Sequence, residues 1–243
     1  RAILGSGYRQ LLPLDGVSHE DMLVFLEEWA KGHRVVKTGD VHAVLELSNG
    51  WVLPIPLIRD SMGWRFDVRA AQHELAKRRI GRNELAVIDI MQAYVAAQKE
   101  YMAQDRDGDG VPEYSSRIMS RPGMRDGLLW YGEDGGLEGL IDPLMDAQGH
   151  KDGFYGYHFK VLKGQASAAG GGAYDYIKDG QMTQGFALLA WPVRYGDSGV
   201  MSFIVNQDGQ VYEKSLGADS AVRARGITRF NPDASWKPVT STP

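Results

Sequence analysis

The chain of 243 residues contains no cysteine, which excludes structural disulfides, thiol catalysis and cysteine-based zinc sites together. It also lacks an uninterrupted apolar run long enough to span a membrane, so we expect no membrane span in this chain. Its formal net charge of −4 gives no broad attraction to nucleic acid or to acidic lipid surfaces. The six histidines stand at no spacing that is typical of a metal-binding pair. What is present is a chain with 43% apolar residues, which is enough to build a substantial core.

The order of the sequence patterns predicts an α+β protein made of two parts. Residues 1–80 are predicted to form a small α+β unit, in which VSHEDMLVFLEEWAKG has helical spacing and HAVLEL alternates like a strand. Residues 81–243 are predicted to form a long helix packed on an antiparallel sheet with large loops.

The clearest single element is the segment NELAVIDIMQAYVAAQKEYMAQ, which contains neither proline nor glycine and is predicted to be a long helix. We expect Asn83 to cap this helix and Gly81 to interrupt or bend the helical pattern before it. Apolar residues recur at helical spacing along one face, which predicts burial of that face in the core. The face consists of Leu85, Ile88, Met91 or Gln92, Val95 and Tyr101.

The segment YGDSGVM, Tyr195 to Met201, contains the tetrapeptide that surrounds the nucleophilic serine of trypsin-like proteases. His42 and either Asp89 or Asp105 precede Ser198 in the chain order of that triad. However, Asp89 falls inside the predicted long helix, and trypsin-like proteases are double β-barrels without such a helix. GDSG also lies between two strand-like runs, where Asp and Gly are ordinary turn residues. We therefore expect Ser198 to be an exposed turn residue, whose replacement by alanine changes stability by well under about 1 kcal/mol.

The segment DRDGDGVPEY, Asp105 to Tyr114, begins like the calcium loop of an EF-hand, with alternate carboxylates and Gly110 at the sixth position. The candidate Ca²⁺ ligands are Asp105, Asp107, Asp109, the carbonyl of Val111, and Glu113. Position twelve is Ser116 instead of the usual bidentate glutamate, so a calcium site here would be a weaker variant of the EF-hand loop. The same residues also suit a solvated turn that closes the long helix, and the sequence leaves both alternatives open.

The segment SAAGGGAYDYIKDGQ, Ser167 to Gln181, combines a glycine-rich stretch with two tyrosines. It lacks the Lys-Ser/Thr ending of a phosphate-binding P-loop. Tyr174 and Tyr176, together with Trp130, are candidates to line a groove for a glycan or a peptide. The alternative is that these aromatic side chains pack on a sheet.

Several long segments are distinctive enough to compare with known families. They are WVLPIPLIRDSMGWRFD, RRIGRNELAVIDIMQAYVAAQKEY, DRDGDGVPEY, GGAYDY and GFALLAWPVRYGDSGVMSFIVNQDGQVYEKSLG. Together they resemble the bacterial domain of unknown function (DUF) family 2950, across nearly the whole chain. The resemblance implies an exported bacterial protein, periplasmic or envelope-associated, whose signal peptide has been removed. It implies no established activity and supplies no catalytic residues.

A weaker resemblance concerns the second part of the chain. The segments NELAVIDIMQAYVAAQKEYMAQDRDGDGVPEY and FALLAWPVRYGDSGVMSFIVNQDGQV are similar to the helix, the following loop and the last strands of pilin-like heads. The membrane-spanning half of a pilin helix is missing, and residues 1–80 stand in its place. Assembly into a pilus is therefore not implied.

Two classes of function remain. The first is a non-catalytic binding or scaffolding protein of the envelope, whose partner is an envelope protein or a glycan and whose one candidate cofactor is Ca²⁺. The second is a hydrolase that acts on an envelope polymer through Ser198 or a carboxylate such as Asp126. A hydrolase of this kind needs a nucleophile with a neighbouring base, and the sequence contains no motif for such a pair. The binding class is therefore favoured.

Overall fold

The computed structural model describes residues 19–106, 108–141 and 153–240. The described residues form three α-helices and several antiparallel sheets, so the protein is α+β, as predicted. The contacts divide the chain into two compact units, Arg1–Arg78 and Arg79–Pro243.

The first unit contains helix α1 (His19–Lys31) and an antiparallel meander. The strands of the meander are β1 (His33–Lys37), β2 (His42–Leu47), β3 (Leu57–Asp60) and β4 (Gly63–Phe66). They pair in chain order, β1-β2-β3-β4. The strand predicted from HAVLEL is confirmed, because Ala43, Leu45 and Leu47 are buried while the residues between them are more exposed.

Helix α2 (Val68–Met102) contains the boundary between the units, and the second unit continues with nine strands and helix α3 (Ser220–Gly226) among the described residues. The strands are β5 (Leu129–Tyr131), β6 (Leu137–Gly139), β7 (Tyr157–Leu162), β8 (Gly164–Gln165), β9 (Tyr174–Asp175), β10 (Ala187–Pro192), β11 (Met201–Asn206), β12 (Tyr212–Ser215) and β13 (Lys237–Pro238). Five of them form the main sheet in the order β13-β12-β11-β10-β7, while β5 pairs with β6 and β8 with β9.

The main sheet is covered on both faces. Phe203 and Ile204 follow each other in β11 and therefore face opposite sides of the sheet, yet both are buried. Helix α2 packs in the same core as the sheet, where the ring of Tyr94 meets that of Phe186 edge-on at 5.7 Å. The segment that follows α3, which includes Trp236, lines a cleft together with Ile204. This arrangement explains why β10 is apolar along its whole length instead of alternating.

Helix α2 is one uninterrupted helix, so two expectations about its start are wrong. It continues through Gly81, because a single glycine costs only about 1 kcal/mol in a helix whose packing supplies more. Asn83 lies inside α2 and does not cap it. Its side-chain Nδ2 donates a hydrogen bond to the carbonyl of Ser198 at 2.9 Å, and this tertiary contact replaces the capping role that Asn usually has.

The buried face of α2 agrees with the predicted one at Met91, Val95 and Tyr101 but differs from it nearer the start of the predicted segment. Leu85 is 66% exposed and Ile88 is half-buried, although both were expected in the core. The face that packs in the core of the second unit comprises Val87, Ile90, Met91, Tyr94, Val95, Ala97 and Tyr101.

Candidate binding cleft

The GDSG turn joins β10 to β11, as the flanking strand patterns predicted. Ser198 is 5% exposed, so the expectation of an exposed turn serine is wrong. Its Oγ accepts a hydrogen bond from the main-chain N–H of Arg194 at 3.0 Å and donates one to the Arg194 carbonyl at 3.2 Å. The neighbouring Asp197 is ion-paired with Arg79 and Arg194. Both side chains close the turn, and neither has the arrangement of a nucleophile beside a base.

Hydrogen bonds from other parts of the second unit fix the GDSG turn and the start of β11. The Glu84 carboxylate Oε1 accepts hydrogen bonds from the main-chain N–H groups of Val200 and Met201, at 2.8 and 2.9 Å. The buried hydroxyl of Tyr157 donates to the carbonyl of Met201 at 2.9 Å. The sequence around Ser198 is therefore explained by the docking of α2 on the turn.

Replacing Ser198 with alanine is expected to lower the free energy of unfolding by about 1–2 kcal/mol, because both hydrogen bonds to Arg194 are lost inside a buried turn. Chemical denaturation of the Ser198→Ala variant and the wild type measures this difference. We expect no labelling of Ser198 by a fluorophosphonate probe in the wild type. Specific labelling would contradict a purely structural serine.

Asp126, the other side chain considered for hydrolysis, is held as an ionised structural carboxylate. Burial opposes its ionisation, but hydrogen bonds from the main chain and guanidinium of Arg121, together with the charge of Arg117, outweigh this and lower its pKa. The guanidinium Nε atoms of Arg121 and Arg117 lie 2.6 and 3.4 Å from Asp126 Oδ2. A general acid needs a raised pKa, so this environment is unsuited to that role.

The candidate calcium ligands lie in the loop that follows α2, except that Asp107 falls outside the described residues. The two carboxylate oxygens of Asp105 accept hydrogen bonds from the main-chain N–H groups of Gly108 and Gly110, both at 2.8 Å. Gly110 has φ of +89°, the left-handed conformation that the sixth position of such a loop requires. In the part of the chain that the structure describes, no three His, Asp or Glu side chains are grouped closely enough to hold a metal ion.

The other carboxylates of this loop contact the end of the glycine- and tyrosine-rich segment. Asp109 accepts a hydrogen bond from the side chain of Gln181 through Oδ2, and one from the N–H of Val111 at 2.8 Å through Oδ1. Glu113 Oε2 accepts one from the main-chain N–H of Met182 at 3.0 Å. The structure thus brings together two motifs that are about 70 residues apart in the sequence.

Of the three aromatic side chains considered for ligand binding, two are buried and one is half-buried. Tyr176 is fully buried, and its hydroxyl donates to Gln165 Oε1 at 3.1 Å. Trp130 is 7% exposed, and its indole N–H donates to Glu138 at 3.0 Å. Tyr174 is half-buried, with its ring edge-on to that of Tyr176 at 5.6 Å.

The glycine-rich stretch is held by the protein itself. Gln165 Nε2 donates hydrogen bonds to the carbonyls of Gly170 and Gly172, at 2.6 and 2.7 Å. The main-chain N–H of Ala168 donates to Asn231 Oδ1 at 3.1 Å, which fixes the stretch against the C-terminal segment. The glycine-rich stretch therefore supports the neighbouring surface, to which Asn231 belongs.

That neighbouring surface is an open cleft of about 310 Å³ beside the main sheet. It is lined by Ile204, Lys214, Leu216, Ile227, Thr228, Arg229, Asn231, Asp233 and Trp236. None of these residues was predicted from the sequence as a site residue. The signal that could have found them is the run ITRFNPDASW, which mixes two aromatic residues with hydrogen-bonding side chains near the end of the chain.

One wall of the cleft is built on the tyrosine-bearing segment. Arg229 Nη1 donates to the carbonyls of Gln165 and Tyr174, at 3.2 and 3.1 Å, and Nη2 pairs with Asp175. Lys214, which lines the same cleft, donates from Nζ to Ser235 Oγ at 2.7 Å. These bonds fix both cationic side chains, so the cleft is formed before any ligand arrives.

The lining residues offer hydrogen bonds and an apolar floor, with little for acid–base chemistry. The ammonium of Lys214 lies 5.8 Å from the centre of the Trp236 ring. Asp233 is the one carboxylate among the lining residues, and hydrogen bonds from the hydroxyl and main-chain N–H of Ser235 lower its pKa. The lining contains no histidine. The arrangement suits recognition of a polar ligand.

Comparison of the chain with known proteins shows to which protein family it belongs. None of the described helices is both long enough and apolar enough to cross a membrane. No curated protein and no solved structure matches the chain, so the weaker resemblance to pilin-like proteins gains no support. A model of the family described as protein of unknown function (DUF2950) matches residues 1–239. Because this match spans nearly the whole chain, and confirms the resemblance seen in its segments, the protein belongs to the DUF2950 family.

Proposed function

We propose that this protein binds an envelope glycan, without catalysing a reaction on it, in the cleft between β12 and the C-terminal segment. The observation that carries the proposal is the lining of the cleft. Trp236, Leu216 and Ile204 form an apolar floor in which each residue is 8% exposed or less, while the side chains around them supply hydrogen-bond donors and acceptors. The hydroxyl groups of a sugar match these donors and acceptors, and its apolar C–H face needs only a small apolar contact area. The volume of about 310 Å³ suits a short glycan segment.

We propose binding without catalysis because the two candidate catalytic groups, Ser198 and Asp126, are both held by structural contacts. The hydroxyl of Ser198 is bound to the main chain of its own turn. The carboxylate of Asp126 is bound to two arginines. A binding role leaves both in these structural positions, whereas hydrolysis by either of them requires its release from these bonds.

The envelope location is the second part of the proposal. It is supported by the family resemblance, which implies export in bacteria. Fractionation of cells that express the full-length gene product tests it. We expect the protein in the periplasmic or envelope fraction, and recovery in the cytoplasmic fraction alone would contradict the proposal.

Glycan binding is tested by calorimetric titration with soluble peptidoglycan fragments. Thr228→Val removes a hydroxyl from the cleft lining and is expected to weaken binding by about tenfold, the effect of one lost hydrogen bond. Thr38→Val, at an exposed threonine of the first unit, serves as the matched control and should bind like the wild type. Failure of the folded wild type to bind any envelope glycan would overturn the proposal. Release of new reducing ends during the titration would contradict a non-catalytic role.

We also propose that Ca²⁺ binds the loop after α2 through the side chains of Asp105, Asp107, Asp109 and Glu113 and the carbonyl of Val111. The support is electrostatic. The loop places several carboxylates just beyond Met102, where the helix dipole also disfavours negative charge. A cation relieves the repulsion between the carboxylates and stabilises the fold by mass action.

Millimolar calcium is therefore expected to raise the melting temperature, and a chelator to lower it. Asp107→Ala should abolish the difference between the two melting curves. Asp134→Ala is the control, because Asp134 closes a similar exposed turn by accepting from the N–H of Gly136 at 2.8 Å, and it should keep the calcium response. Identical wild-type curves in calcium and chelator would leave the loop as a structural turn.

A further inference from the structure

We infer that the glycan bound in the cleft carries an acidic group, a carboxylate or a phosphate, which Lys214 and Arg229 hold between them. This inference rests on the proposed function and adds the chemical class of the ligand. Both cationic side chains line the same cleft. Each is fixed in place by bonds that leave part of its donor capacity unused.

Lys214 has an ammonium group with three N–H donors. Within the described residues one of them is used, in the hydrogen bond to Ser235 Oγ at 2.7 Å. The side chain is half-buried, and its charge lies over the ring of Trp236. Two donors of a positioned cation are thus available to a ligand that reaches the Trp236 side of the cleft.

Arg229 has five N–H donors. Its Nη1 donates to the carbonyls of Gln165 and Tyr174, and its Nη2 pairs with Asp175. Among the described residues Nε and one N–H of Nη2 have no acceptor. A guanidinium with two free donors suits a carboxylate or phosphate, which accept paired hydrogen bonds.

The net charge of residues 220–240, which contribute to the cleft, also favours an anionic ligand. Residues 220–240 contain four basic residues and one acidic residue, a net charge of +3 in a chain whose formal net charge is −4. The basic residues are Arg223, Arg225, Arg229 and Lys237. The acidic one, Asp233, turns Oδ1 to the main chain and hydroxyl of Ser235. The cleft therefore lies beside a segment of positive net charge in an acidic protein, where an anionic ligand is attracted.

The test compares one sugar in charged and neutral form. The probes are the N-acetylglucosaminyl-N-acetylmuramic acid disaccharide, the methyl ester of its carboxyl group, and a glycerol phosphate trimer, each titrated by calorimetry. We expect the acid to bind about tenfold more tightly than the ester. This preference should disappear in Lys214→Gln and persist in Lys237→Gln, whose side chain lies outside the lining. Since the readout is a ratio within each variant, a uniform loss of stability does not imitate it.

The outcomes separate the two proposals. If acid and ester bind the wild type equally, the acidic group is not recognised and this inference falls, while glycan binding stands. If neither sugar binds, the proposed function itself falls. Loss of the preference in Lys237→Gln as well would overturn the assignment to Lys214 and Arg229. Tighter binding of the trimer than of the disaccharide acid would support recognition of an acidic group and identify phosphate as its source, and the reverse order would identify carboxylate.

Discussion

Replacing Met91 with alanine is expected to lower the free energy of unfolding of the second unit by about 2–5 kcal/mol. Met91 is completely buried on the face of α2 that packs in the core. Truncation removes apolar contacts and leaves a cavity that the surrounding side chains fill only in part. Denaturation by urea, followed by circular dichroism, measures the difference from the wild type.

Ile88→Ala is the matched control for this prediction. Ile88 lies three residues earlier on the same helix but is half-buried, so its loss should cost about half as much or less, in proportion to the area removed from water. The sequence alone placed Ile88 on the buried face together with Met91 or Gln92, whereas the structure buries only Met91 completely, so the relative cost of the two truncations tests the orientation of α2. A larger loss for Ile88→Ala than for Met91→Ala would mean that the helix is turned toward Ile88.

Replacing Gly199 with alanine is expected to destabilise the second unit by about 1–3 kcal/mol or more. A Cβ atom at this position would overlap the hydroxyl and ring atoms of Tyr157. That ring cannot move aside easily, because it is fully buried and its hydroxyl is bonded to the carbonyl of Met201. The last glycine of GDSG is therefore required by packing, and thermal and chemical denaturation measure the cost.

Two controls make this prediction specific. Gly81→Ala, in the middle of α2 with open space at its Cβ position, should be neutral or stabilise by up to about 1 kcal/mol. In a Tyr157→Leu background, Gly199→Ala should cost less, because the overlapping hydroxyl is gone. An equal cost in both backgrounds would place the strain somewhere other than Tyr157.

The sequence predicted those parts of the fold whose cause is local. HAVLEL alternates with the period of a strand, and the run from Asn83 to Gln104 has nothing that breaks a helix, so both elements were found. The prediction that Asn83 caps α2 was wrong because a residue distant in the sequence determines the contact of its side chain. Asn83 is a cap by local preference, but the carbonyl of Ser198, 115 residues away in the sequence, takes its hydrogen bond.

The candidate site shows the same limit more strongly. Its lining comes from β11, β12 and the segment after α3, which no spacing rule connects. The motifs that stood out locally, the glycine-rich stretch among them, support the cleft from behind through Arg229 and Asn231. A short motif can predict a local turn from the sequence. The position of a cleft depends on which segments, distant in the sequence, pack together in the fold.

The docking of α2 on the GDSG turn has a consequence for the order in which the protein can fold. Arg79, Asn83 and Glu84 contact partners that follow them by 115 to 118 residues. At ordinary rates of synthesis these partners leave the ribosome roughly 6–23 seconds after the helix does. During that time the helix can form, but its apolar face has no sheet to cover it. Until the last strands are available, on the ribosome or after export, the core residues of the helix have no sheet to pack on, and the native structure forms only when those strands are complete.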